Sequence, residues 1–381
     1  MPLSRVGSWG IVGALWVSTI VGAERPPLRV HPDFVVKHLY AVPQAQQGSW
    51  ISLACDQQGV IYSSDQKGSL YRLAPGEVGR RIELPIGGIH GLAMVGDSLY
   101  AVVGEPDTCP TGLYRLRDGD GRLDELQLLR ELHGRGEHGP HAIIGAGDGQ
   151  SLYVLAGNAT ELPAVTRNRL PRMPESNTLL PPLPAQMGSE LRGRSHGGWI
   201  CRTDLEGREW ELMACGLRNA YSLAANAAGE LFTADSDTEF EYGLPWYRPN
   251  RLLHCVSGAD FGWRSGGIKG RETAIDVVPA VASLGAGSPT AVVSGGDAFQ
   301  YPQRYRTGMF VGDWSHGRLL FVALSEAGAS YRGRVEEIVV GTPLPIAAGC
   351  ISPRGGMLYF VTGGRNTQSD VYRLEYRRAT E

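Results

Sequence analysis

Gly91-Leu-Ala93, Ser98-Leu-Tyr100 and Leu113-Tyr-Arg-Leu116 make one unit: an apolar run, a turn, a second run ending in an aromatic, a gap, then a third run. The same unit stands earlier as Ile51-Ser-Leu-Ala54, Gly59-Val-Ile-Tyr62 and Leu70-Tyr-Arg-Leu73. It closes the chain as Cys350-Ile-Ser-Pro353, Met357-Leu-Tyr359 and Val371-Tyr-Arg-Leu374. Weaker copies lie at His141–Ala156, Leu223–Ala234 and Ala291–Val311. Short strand-forming runs bounded by Gly, Asp and Asn recur, while segments of helical period are scarce, so the chain reads as all-β. A few dozen residues of antiparallel strand, repeated, are the mark of a propeller. The copies give a six-bladed β-propeller, and their unequal spacing predicts long loop insertions on one face, where a pocket opens.

Outward from the repeat, the chain of 381 residues has 42% hydrophobic and 20% charged residues and a net charge of −3. That is an ordinary globular composition, with no basic excess to draw nucleic acid. Arg5 followed by the apolar run Ile11–Val21 and the small residues Gly22-Ala23 reads as a secretory signal over residues 1–23. The run is too short to cross a bilayer comfortably, and no later stretch is long enough. A single domain over 24–381 is expected, exported to the periplasm or beyond, with no transmembrane segment after cleavage. Export permits disulfides, and Cys55, Cys109, Cys201, Cys215, Cys255 and Cys350 leave both disulfides and buried thiols open. There is no Cys-x-x-Cys-His for a haem and no Cys/His zinc spacing. The largest insertion, Glu161–Ser195, is rich in Pro and Arg, without periodicity, and reads as a lid, a rim element or a disordered loop.

Chemistry-bearing residues concentrate between Gly216 and Ser265. Arg218 and Asn219 offer a guanidinium fork and an amide, suited to carboxylates and carbonyls. Asp235, Asp237, Glu239 and Glu241 alternate, so they repel one another unless a cation or nearby arginines sit among them. Trp246, Tyr247 and Trp263 are interleaved with this run, and large rings suit a ligand wall better than a solvated loop. Glu137-His138-Gly-Pro-His141 precedes the third unit, where a neutral imidazole suits proton removal from an alcohol. Asp313-Trp-Ser-His316-Gly-Arg318 stands at a strand end and is read as structural. Asn158-Ala-Thr160 fits a glycosylation sequon. No Gly-x-Ser-x-Gly elbow or Gly-rich phosphate loop is present, which leaves hydrolase and nucleotide readings without support.

From about Pro32 to the end, the chain resembles the propeller of the membrane-bound dehydrogenase domain proteins of planctomycete-type bacteria. The resemblance rests on Gly216-Leu-Arg-Asn219, Gly243-Leu-Pro-Trp-Tyr-Arg-Pro249, Gly258-Ala-Asp-Phe-Gly-Trp-Arg-Ser-Gly266, Gly285-Ala-Gly-Ser-Pro-Thr290 and Asp313–Arg318. That family is similar to the soluble quinoprotein glucose and sorbosone dehydrogenases, six-bladed propellers holding pyrroloquinoline quinone (PQQ) over calcium. The resemblance implies His138 as base with His141 as rival, and Arg218, Asn219, Trp263 and Arg264 around the quinone. Arg318 and Arg354 are the candidates for gripping the quinone's carboxylates. Asp235, Asp237 and Glu239, with main-chain carbonyls near Gly243 and Pro245, are the calcium candidates. The expected function is oxidation of a sugar or related alcohol, with a separate protein or a soluble dye as electron acceptor. The alternatives are a non-catalytic propeller that binds a glycan or protein, and a lactonase-type metal hydrolase on the same fold.

Overall fold

The computed structural model describes residues 27–107, 109–117, 123–134, 136–171, 196–236, 248–264 and 276–377. They form six antiparallel sheets set around a central channel, a six-bladed β-propeller. Blade 1 starts with the inner strand Ala54–Cys55, blade 2 with Ile89–Val95 and blade 3 with Pro140–Gly145. Blades 4, 5 and 6 start with Leu223–Ala225, Pro289–Ser294 and Ile346–Ile351. Each inner strand touches the next, and the last touches the first, so the ring is closed. All six quoted sequence units fall on the first strands of successive blades, as their spacing predicts.

Blades stack on both faces, so their middle strands are buried on both sides and lose the usual alternation. In Ser98–Val103 every residue after Ser98 is buried, whereas the outer strand Glu125–Glu131 carries charge into water. Hydrophobic cores lie between neighbouring blades: Trp199 and Trp210 fill the one between blades 2 and 3, Trp50 the one between blades 6 and 1. Each buried Leu or Phe side chain contributes roughly 1.5–3 kcal/mol.

An early and a late strand of the chain meet in blade 6. Phe34–Ala41 pairs with Asp370–Tyr376 as the outer strand, with His38 Nε2 2.6 Å from Asp370 Oδ1. Arg29–Val30 adds to the edge of blade 5. The six cysteines are free thiols. On adjoining strands of blade 3, Cys201 faces Leu212 and Cys215 faces Trp199.

The expected lid takes another course over its described part. Arg167–Asn168 runs parallel to Glu211–Leu212 at the outer edge of blade 3. Arg169 pairs there with Glu211, and Leu162, Val165 and Leu170 pack into the blade core. Residues 172–195 and 1–26 lie outside the described residues. Among the described residues no helix is long and apolar enough to cross a membrane.

Candidate functional site

Four of the inner strands begin with a bulge. The register slips between Ile89 and Gly91, Pro140 and Ala142, Pro289 and Ala291, and Ile346 and Ala348. The extra residues are His90, His141, Thr290 and Ala347, and a bulge re-aims the side chain it carries. His90, Thr290 and Ala347, together with Tyr221, form a waist that divides the channel into two chambers.

The lower chamber, about 670 Å³, is walled by the inner strands of all six blades. The upper chamber, about 400 Å³, is a mouth built from the segments that lead into inner strands and from the loops after second strands. Its wall carries Gln66, Glu105, Glu137, Asn219, Ser236, Ser288, Trp314, Ser315 and Arg365. Arg365 reaches across to Glu137 at 2.7 Å, while its guanidinium lies 5.5 Å from the centre of the Trp314 ring. Its main-chain N–H donates to Gln66 Oε1 at 2.7 Å, with Arg365 and Asn366 both at positive φ (49° and 59°). The pair bridges blades 6 and 3 across the opening, and because both side chains are more than half exposed it contributes little to stability.

His138 ends the turn Gly136–His138, next to Glu137. Its Nδ1 donates to Asn158 Oδ1 at 2.6 Å, which fixes the tautomer and leaves the lone pair on Nε2. Burial, then the Arg218 charge, pushes its pKa down to about 4, so the ring is neutral at pH 7. Gly157 permits this approach, since a Cβ there would meet the His138 carbonyl oxygen at 2.6 Å. Asn158 and Thr160 are 1% and 0% exposed, so the sequon serves the fold rather than a glycan. His141 is fully buried, with Nδ1 donating to the Ala220 carbonyl at 2.9 Å. Burial holds its pKa near about 4 as well, and it lines neither chamber.

Arg218 and Asn219 lead into blade 4. Their main-chain N–H groups donate to Asp235, and Arg218 Nη1 donates to Ser236 Oγ at 3.2 Å. Asn219 lines the mouth, and its Oδ1 is sealed without a hydrogen-bond partner. Asp235 does not fit the cation-ligand role expected of it. It is 0% exposed, and it spends its oxygens on those two N–H groups and on Arg251. Asp237, Glu239, Gly243 and Pro245 lie outside the described residues, as do Glu241, Trp246 and Tyr247. Among the described residues no group of three or more His, Cys, Asp or Glu is placed to hold a metal ion.

Trp263 and Arg264 line neither chamber. Trp263 is 7% exposed, its N–H donating to the Gly216 carbonyl, and Arg264 is clasped by Asp260. Arg318 is likewise spent, on Asp313 and the Ala286 carbonyl, and Arg354 on the Gln58 carbonyl, beside the lower chamber's Pro353. The guanidinium at the mouth is instead Arg365, in a loop that no quoted motif covers. Trp314 and Ser315, read from sequence as structural, are in the wall.

No family model matches the chain, and no curated protein matches it by sequence. Solved structures match its fold. A putative oxidoreductase (glucose dehydrogenase) from Thermus thermophilus is 20% identical, with 90% of this chain and 99% of that one covered and a TM-score of 0.66. The PQQ-bound aldose sugar dehydrogenase of Streptomyces coelicolor is 15% identical, covering 92% and 100%, at 0.64. A gluconolactonase from Xanthomonas campestris is 15% identical, covering 93% and 96%, at 0.53. The chain is therefore similar in fold to quinoprotein sugar dehydrogenases and to gluconolactonase-type propellers.

Proposed function

We propose that the chain binds a sugar or related polyol in the channel mouth and oxidises one of its hydroxyls, as a quinone-dependent dehydrogenase acting outside the cytoplasm. The observation that carries this reading is the composition of the mouth. Hydroxyls, amides, two carboxylates and one indole face a cavity of about 400 Å³, which is a polyol's set of partners. The fold it has in common with an aldose sugar dehydrogenase adds support.

PQQ carries carboxylates and quinone oxygens. Asn219, through the N–H groups of its side-chain amide, and Arg365, whose exposed pair with Glu137 is readily exchanged, are donors that fit such a group and would hold it. When bound, the quinone supplies a two-electron acceptor for hydride. His138, neutral and held by Asn158, follows the mouth-lining Glu137 but does not itself line the mouth. In this reading its Nε2 lone pair would take the proton of a hydroxyl that reaches past Glu137. Glu137 must release Arg365 for an anionic group to reach the guanidinium. Reoxidation then falls to a separate acceptor protein. No step is assigned to calcium, because Asp235 is committed elsewhere. That commitment favours a second reading, in which the mouth binds a glycan without turnover.

The test mixes purified protein with PQQ. Tryptophan quenching reports binding, and dye reduction is followed over an aldose panel. Saturable binding and turnover are expected, and His138→Ala should lower turnover by about 10²-fold or more while the protein stays folded. Absence of both binding and turnover would sink the dehydrogenase reading; sugar binding that persists would establish the second.

A further inference from the structure

Among the described residues His90 is the histidine that lines the mouth, and it faces the lower chamber as well. Its Nδ1 is sealed from solvent without a hydrogen-bond partner. That nitrogen and the Pro140 carbonyl oxygen face each other across Gly104, where a Cβ would lie 2.7 Å from one and 2.4 Å from the other. That carbonyl lies outside hydrogen-bonding geometry but is the acceptor on this side of the ring and favours a proton there. We therefore assign the proton to Nδ1, which leaves the Nε2 lone pair for the channel. Burial, reinforced by His141, pushes the pKa of His90 down to about 3, which keeps the ring neutral.

Tyr221 shares the waist with it. The two ring centres are 5.5 Å apart, and Tyr221 lies 4.4 Å from His141, itself pinned to the Ala220 carbonyl. Burial, with Glu105 and Glu137 nearby, raises the phenol well above its ordinary range, so it remains an O–H donor.

We propose that His90 and Tyr221 form a hydroxyl-reading subsite at the waist, where His90 Nε2 accepts from, and the Tyr221 O–H donates to, one hydroxyl of the ligand. This rests on the sugar reading of the mouth and names the residues that set its specificity. An alcohol O–H is the group that asks for one acceptor and one donor together. A carboxylate offers only acceptors, and would face the His90 lone pair and two glutamates. An ammonium offers only donors, and leaves the phenol O–H unmatched.

The test measures binding of D-glucose and its monodeoxy derivatives by calorimetry, with nitrogen-15 spectra of the histidine rings. Wild type is expected to bind one monodeoxy derivative about tenfold more weakly than D-glucose. Tyr221→Phe and His90→Leu should bind D-glucose about tenfold more weakly and treat that derivative like D-glucose. His90→Gln, which keeps an acceptor, should retain the discrimination. In wild type the His90 Nε2 resonance should move with D-glucose and stay still with that derivative. If folded Tyr221→Phe binds and discriminates as wild type does, the subsite is refuted while sugar binding stands. If wild type binds neither D-glucose nor any other aldose, both readings fall.

Discussion

Three imidazoles near the mouth, His90, His138 and His141, are kept out of water. Burial lowers their pKa to about 3, about 4 and about 4 from an ordinary 6.5. A base whose folded pKa is depressed stabilises the fold fully above the unfolded value and loses that contribution as pH falls towards the folded one. The histidine contribution should therefore be flat above about pH 7 and decline between about pH 6.5 and 3, by roughly 1–3 kcal/mol per histidine over the part of that interval above about pH 4. Denaturant midpoints measured across that interval check this; a flat profile would mean these rings are already hydrated. His138 was legible in sequence because Glu137-His-Gly-Pro-His141 is an unusual run. His90 was not, because the repeat's apolar pattern begins one residue later, at Gly91. The available signal was its position, since His90 and His141 open consecutive inner strands at the same bulge.

At the scale of elements, one device recurs. An aspartate at the end of a blade's second strand accepts a main-chain N–H from the segment leading into the inner strand, and in two of the three blades another from the loop that follows it. Asp65 holds Ser49 and Gly68, Asp235 holds Arg218 and Asn219, and Asp313 holds Ser288 and Ser315. These acids pin the segments that build the mouth. Asp235→Ala removes a buried carboxylate that also pairs with Arg251, and should cost about 3 kcal/mol or more. Thermal unfolding reports it, and an unshifted transition would return Asp235 to the pool of free acids. Sequence pointed to a cation here because Asp235 opens an alternating acidic run; the register that turns it inward depends on blade 4 pairing and is invisible in a linear reading. Strand units were legible for the opposite reason, as each carries its own apolar pattern. The fate of 161–171 was not, since its short strand depends on finding the blade's outer edge.

For the whole molecule, the decisive contact joins residues more than three hundred positions apart: Phe34–Ala41 completes blade 6 beside Asp370–Tyr376. A chain starting at Val42 would lose that strand, the His38–Asp370 pair and the packing of Phe34 against Tyr301 and Tyr305. Such a truncation should lose the single cooperative melting transition of the full chain. A sharp melt near the parent temperature would mean blade 6 stands on three strands. The same closure imposes an order on biosynthesis. The strand Phe34–Ala41 must wait, unpaired, until Asp370–Tyr376 has been synthesised, so the circle is the last part of the propeller to lock.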